Sequence, residues 1–161
     1  MAWVESNYSI YRMCEDCDVD FYVARMVREY MGFHVDTIIN EHDYNGVINK
    51  IKEIRNLNNG KISGIRVKSY FEGKGRLYLE DELVEDFGIH KDAVWRVRKM
   101  LGLIRKPIHE PEYELMEKTI DILVSLYGCV TKQSIAYLQM LMRYVKVNDI
   151  YELEEVLKRN D

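Results

Sequence analysis

The sequence predicts a mainly α chain with one small antiparallel β-hairpin. Three observations lead there. Apolar residues recur at i, i+3 and i+4 through most of the 161 residues. Several of these runs stop at a glycine or an asparagine, as helices commonly do. One stretch, residues 62–79, instead alternates apolar and polar residues on either side of a glycine-containing turn.

The elements follow in order. Val19, Tyr22, Val23, Met26, Val27 and Tyr30 share one helical face, and Gly32 ends that helix. A short second helix is expected over Val35 to His42. The turn HDYNG follows, with Asn45 and Gly46 as breakers. Val47, Ile48, Ile51 and Ile54 then line a third helix, roughly 45–57, which NLNNG stops.

ISGIRVKSYF and GRLYL read as the two strands of the hairpin, joined by EGKG at 72–75. Side chains alternate across a strand. Ile65, Val67, Ser69 and Phe71 would therefore share the inner face. Arg66, Lys68, Tyr70, Arg76 and Tyr78 would share the outer one.

Glu80–Phe87 and Lys91–Leu101 form a helix pair around Gly88. Pro107 and Pro111 mark a linker. Leu115, Ile120, Leu123, Val124 and Tyr127 fit a helix ended by Gly128. Thr131 caps another, running to about Val145. VNDIYELEEVLKR supplies the last, with Asn148 or Asp149 as its cap. The expected organisation is a region 1–106, read as one unit or as two small modules, 19–79 and 80–106. A C-terminal helical segment, 107–161, follows it.

The net charge of −4 is unevenly distributed. Residues 1–49 carry three bases against nine acids, residues 50–106 fourteen against eight, and residues 107–161 six against ten. A basic middle between acidic ends suits either a polyanion footprint or charges that merely cluster on solvated faces. No apolar run approaches the ~18 residues that span a bilayer, and no signal-peptide pattern opens the chain. The expectation is a cytoplasmic protein without a membrane partner. Three cysteines fit a reducing compartment better than a disulfide framework.

The stretch LVEDFGIHKDAVWRVRKMLGLIRK carries most of the functional signal. Leu83, Val84 and Phe87 precede a turn glycine, Gly88. Ile89 lies in the turn, and Val94 and Val97 follow. Over Asp81 to Leu101 this resembles the helix-turn-helix family of DNA-binding regulators. The order helix, helix, turn, helix, hairpin over 19–79 resembles a winged helix. Val84 stands where the family usually carries a small residue, and His90 where it usually carries Ser or Thr.

The resemblance implies sequence-specific binding of double-stranded DNA, in transcription regulation or replication. The second helix would enter the major groove. His90, Lys91, Trp95, Arg96 and Lys99 would face DNA, along with Asp92. The hairpin would act as a wing, with Arg66, Lys68, Lys74 and Arg76 on the backbone. Asn45, Asn49, Lys50, Lys52 and Arg55 make the helix at 45–57 a second candidate reader.

Two rivals stay open. One is a protein-docking adaptor, because helical hairpins also serve that role. The weaker one is a metal-dependent nuclease using Glu15, Asp16, Asp18 and Asp20 with Glu41, His42 and Asp43. Against it, acids at a helix start also suit the helix dipole.

Cys14 and Cys17 form half of a zinc knuckle. A structural zinc site needs four ligands, so free thiols are expected and a redox role stays open. No phosphate-binding loop, hydrolase elbow or metalloprotease motif occurs. No cofactor, catalytic residue or metal ligand is therefore assigned. Tyr137, Tyr144 and Tyr151, with Met140, Leu141 and Met142, suit either a homodimer through the C-terminal helices or a well-filled monomer core.

Overall fold

The computed structural model describes residues 8–34 and 36–160. Among these residues there are nine helices and no strand. The chain divides between Leu77 and Tyr78 into two compact units, each with its own apolar core.

The first unit contains α1 (Ile10–Cys17), α2 (Phe21–Tyr30), α3 (Glu41–Leu57) and α4 (Gly64–Phe71). The Ser9 hydroxyl accepts the Arg12 N–H at 3.1 Å and starts α1. Ile10, Met13 and Cys17 are its buried stripe. Periodicity reading misses this helix because it is only eight residues long and just three of them, spaced among Arg12, Glu15 and Asp16, are buried. Asp20 caps α2 by accepting from Val23 N at 2.8 Å. Val23, Ala24 and Val27 face inward.

The expected turn at HDYNG does not form. Asn40 accepts from Asp43 N at 2.8 Å and opens α3 at Glu41. Asn45 and Gly46 then lie inside the helix. A mid-helix glycine costs about 1 kcal/mol against alanine. Burying Tyr44 and Val47 beside it stabilises by roughly 1.5–3 kcal/mol each, and so prevails. The short helix expected at Val35 to His42 is also absent. Residues 36–40 are non-helical, and residues 41–42 already belong to α3. Val35 lies outside the described residues.

The β-hairpin is the main correction. Residues 64–71, the core of its first strand, are helix α4. Ile65 is 53% exposed, while Arg66 and Val67 are buried. The alternation of Ile65, Val67, Ser69 and Phe71 was therefore not a sheet face. Gly73 and Gly75, at φ 78° and 76°, reverse the chain after α4. The second predicted strand makes a single bridge, Tyr78 to Ile108, with Tyr78 N donating to Ile108 O at 2.8 Å. Its partner is not 62–71. Among the described residues there is no wing, and the mainly-α-plus-hairpin, winged-helix-like class gives way to an all-helical one.

The second unit contains α5 (Glu80–Phe87), α6 (Lys91–Met100), α7 (Glu110–Tyr127), α8 (Lys132–Val145) and α9 (Ile150–Arg159). The helix pair around Gly88 thus belongs with the C-terminal helices. Leu83, Val94, Val97, Met116, Leu123, Leu138 and Leu153 centre its core. Val84 packs half-buried against that core.

The two units are built on one pattern. Among the described residues, each begins with an eight-residue helix, a three-residue turn and a ten-residue helix. The first turn residue is left-handed in both, Asp18 at φ 51° and Gly88 at φ 63°. Gly32 and Gly102 then take positive φ. Phe33 N donates to Arg28 O, and Leu103 N to Arg98 O, both at 2.8 Å.

Arg28 and Arg98 each fold back on the following loop. Arg28 Nη2 donates to His34 O and Thr37 O, at 3.2 and 2.6 Å. Arg98 Nη2 donates to Leu103, Ile104 and Lys106 O, each at 3.2 Å. The Tyr44 hydroxyl donates to Asp16, and the Tyr113 hydroxyl to Asp86. Val47, Ile51 and Ile54 on α3 match Met116, Ile120 and Leu123 on α7. Helix α9 is an addition to the second unit. Few of the paired residues are identical, which is why no repeat is readable in the sequence.

Candidate nucleic-acid interface

Helix α6 is capped by His90, whose Nδ1 accepts the Asp92 N–H at 3.1 Å. That bond leaves the proton of a neutral imidazole on Nε2. Ala93, Val94 and Val97 point into the core. The opposite side then carries Lys91, Trp95 and Lys99, all exposed, with half-buried Arg96 beside them. Trp95 is 47% exposed, unusual for so large an apolar group. The Lys99 ammonium lies 5.1 Å from its ring centroid, a cation–π contact.

Charge pairing separates the predicted residues. Among the described residues, Lys91, Arg96 and Lys99 join no ion pair, whereas Lys68 and Lys74 of the predicted wing do. Lys68 reaches Glu72 at 3.9 Å, and Lys74 reaches the same carboxylate at 3.2 Å. Arg66 is 2% exposed. Its Nη1 donates to Leu77 O at 2.8 Å and to Asn58 Oδ1 at 3.2 Å. It is a core residue and cannot touch DNA from there. Arg76 is half-buried in the segment leading to Leu77. The structure thus gathers His90, Lys91, Trp95, Arg96 and Lys99 on one helix. It places the four predicted wing residues in the first unit, on α4 and the loop after it.

The second candidate reader, α3, is the long core helix of its unit. Arg55 donates to Cys17 O at 2.6 Å and to Asp18 O at 2.9 Å, closing the end of α1. Lys50 bonds Glu53 at 3.0 Å and the Tyr70 hydroxyl at 3.2 Å. Both side chains are spent on structure.

Sequence reasoning missed Lys132. It lines, with Ile135, Ala136 and Gln139 of α8, a groove of about 550 Å³ whose other wall is Trp95, Arg96, Lys99 and Met100. No local signal links residues some forty positions apart, so only packing brings them together. On the other side of Trp95, a hollow is lined by Leu79, Glu80, Asp81, Val84, Lys91 and Asp92. That side is acidic on balance.

The N-terminal acids do not converge. Asp16 accepts from the Tyr44 hydroxyl, and Asp20 caps α2. Among the described residues, no three His, Cys, Asp or Glu side chains are placed to share a metal ion. Cys17 is buried and Cys14 half-buried. Desolvation is the leading cause that raises both thiol pKa values, with Asp20 adding to it at Cys14. A raised thiol pKa means less thiolate and slower alkylation. Iodoacetamide at pH 7.5 should therefore label exposed Cys129 first and Cys17 only on unfolding. Mass spectrometry of partially labelled protein reads the order. Cys17 labelling as fast as Cys129 would contradict the buried stripe of α1.

Among the described residues, no helix is long and apolar enough to cross a membrane. The chain matches no known protein family, no curated protein and no solved structure.

Proposed function

We propose that the second unit binds double-stranded DNA by placing α6 in the major groove, in transcription regulation or replication. The observation that carries this reading is one helix face. Lys91, Trp95, Arg96 and Lys99 stand on it with their cations in no ion pair, in a protein of net charge −4. An acidic protein gains solubility by dispersing its lysines among acids. Three cations left together, with an exposed indole, suit phosphates and base edges.

The resemblance of 81–101 to helix-turn-helix regulators supports the same reading, and the three-residue turn at Gly88 is compatible with it. The Tyr–Asp bonds and Arg-tied loops of both units would hold such a helix rigidly. A rigid reader places side chains more accurately than a loop does.

The test is a gel shift over a salt series, using the full chain and random-sequence duplexes before selection of a preferred site. Lys91→Ala, Arg96→Ala and Lys99→Ala together should flatten the plot of log affinity against log salt. The slope should fall by up to about 2.7, three phosphate contacts at roughly 0.9 each. An unchanged slope sinks the proposal.

A second reading, docking of protein, has its own observation. α8 exposes Tyr137, Met140 and Tyr144, at 46%, 60% and 84%, along one stripe. This is the face on which a homodimer would form, and the solution mass of the full chain tests it.

A further inference from the structure

The groove between α6 and α8 continues past its first section. Met100 and Gln139 also line a second section, with Met142, Arg143 and Val147. Along α8, Lys132, Ala136, Gln139 and Arg143 fall at i, i+4, i+7 and i+11, one edge of a helix. Arg96, Lys99, Lys132 and Arg143 therefore line one continuous groove, and no carboxylate does. Among the described residues, none of these four cations joins an ion pair. The hollow between α7 and α9 is the opposite case, with Glu114, Glu117, Asp121 and Glu154 against Lys118. In this unit the signs are segregated, groove by groove.

The first unit supplies an internal comparison, because α2 and α4 correspond to α6 and α8. Their seam is closed. Gly64 lets Met26 approach so near that an added Cβ would lie 3.1 Å from its Sδ. Tyr30 stacks on Phe71, with ring centres 4.6 Å apart and planes 2° from parallel. The corresponding positions of the second unit hold Lys132 for Gly64, Arg96 for Met26, Met100 for Tyr30 and Gln139 for Phe71. The same scaffold is sealed by apolar contacts in one copy and left open and basic in the other.

We propose that α8 is the second wall of the DNA interface, with Lys132 and Arg143 on the phosphates flanking the groove that α6 enters. This rests on the reading of α6 as the DNA-contacting helix, and gives α8 the backbone-clamping role that a wing would otherwise play. Phosphate is the ligand that four unpaired cations in a row attract most strongly. Trp95 at the rim offers an apolar surface for the sugar.

Lys132→Ala with Arg143→Ala tests it. Both side chains are exposed, so the fold should be retained, and circular dichroism checks that. Duplex binding of the full chain is measured over a salt series, beside wild type and the α6 triple variant. The salt slope should fall by about 1.8, two contacts at roughly 0.9 each. Affinity near 0.1 M salt should drop at least about tenfold. The inference is overturned if wild type binds and the triple variant weakens binding while the α8 variant matches wild type. If wild type shows no salt-dependent duplex binding, the reading of α6 fails, and this inference with it.

Discussion

Arg66→Ala should destabilise the first unit by about 3 kcal/mol, whereas Lys68→Ala two positions on should shift it by less than about 0.5 kcal/mol. The two residues look alike in the sequence and differ completely in surroundings. Arg66 is buried beside fully buried Asn58. Asn58 Oδ1 accepts from both Arg66 Nη1 and Leu77 N, and Asn58 Nδ2 donates to Ile54 O at 2.8 Å. Arg66 Nη1 also donates to Leu77 O. These bonds tie α3, α4 and the end of the unit together.

Truncation strands buried acceptors at about 1–3 kcal/mol apiece and leaves a void where the stem was. Arg66→Met would refill part of the void and recover part of the loss. Urea melts followed by circular dichroism read the effect. A loss under about 1 kcal/mol for Arg66→Ala would show that the network contributes little.

Arg28→Ala should cost about 2–4 kcal/mol, and the equivalent Arg98→Ala only about 1–2 kcal/mol. Each guanidinium satisfies carbonyls of the loop that follows its helix, so each removal frees backbone acceptors. Arg28 is almost fully buried, 2% exposed, and its 2.6 Å bond to Thr37 O is short. Arg98 is half-buried and its three bonds are long at 3.2 Å, so water can replace them at smaller cost. In both residues Nε is buried without a partner, which limits the net gain. Equal losses in the two variants would contradict this ordering, as would a larger loss for Arg98→Ala. Hydrogen exchange at residues 33–40 and 103–106 would show whether each loop loosens separately.

Much of the helical content was legible. α5 and α6 lie within a residue of expectation at each end, because Gly88 and the apolar spacing of Leu83, Phe87, Val94 and Val97 admit one solution. α9 begins after Asp149, one of its two expected caps. α4 was misread because eight residues are too few to separate periods. Ile65, Val67, Ser69 and Phe71 satisfy a strand. Arg66, Val67, Tyr70 and Phe71 satisfy a helix equally well. Burial against α2 and α3 selects the second, and puts Arg66 inside. Of the candidate site, the α6 residues were readable because they share one short helix. The α8 wall was not, because Lys132 and Arg143 meet α6 only through folding.

The sequence by itself determined which segments have a helical apolar stripe, where caps and glycines bound them, and that basic charge concentrates in the middle. Those properties depend on neighbours within a turn or two. The tertiary structure alone decided which cations are spent on the core and which stay free, that two units repeat one pattern, and that one seam is sealed while its counterpart is open. Those outcomes depend on the partner a helix face meets, and that partner lies tens of residues away, beyond any local period.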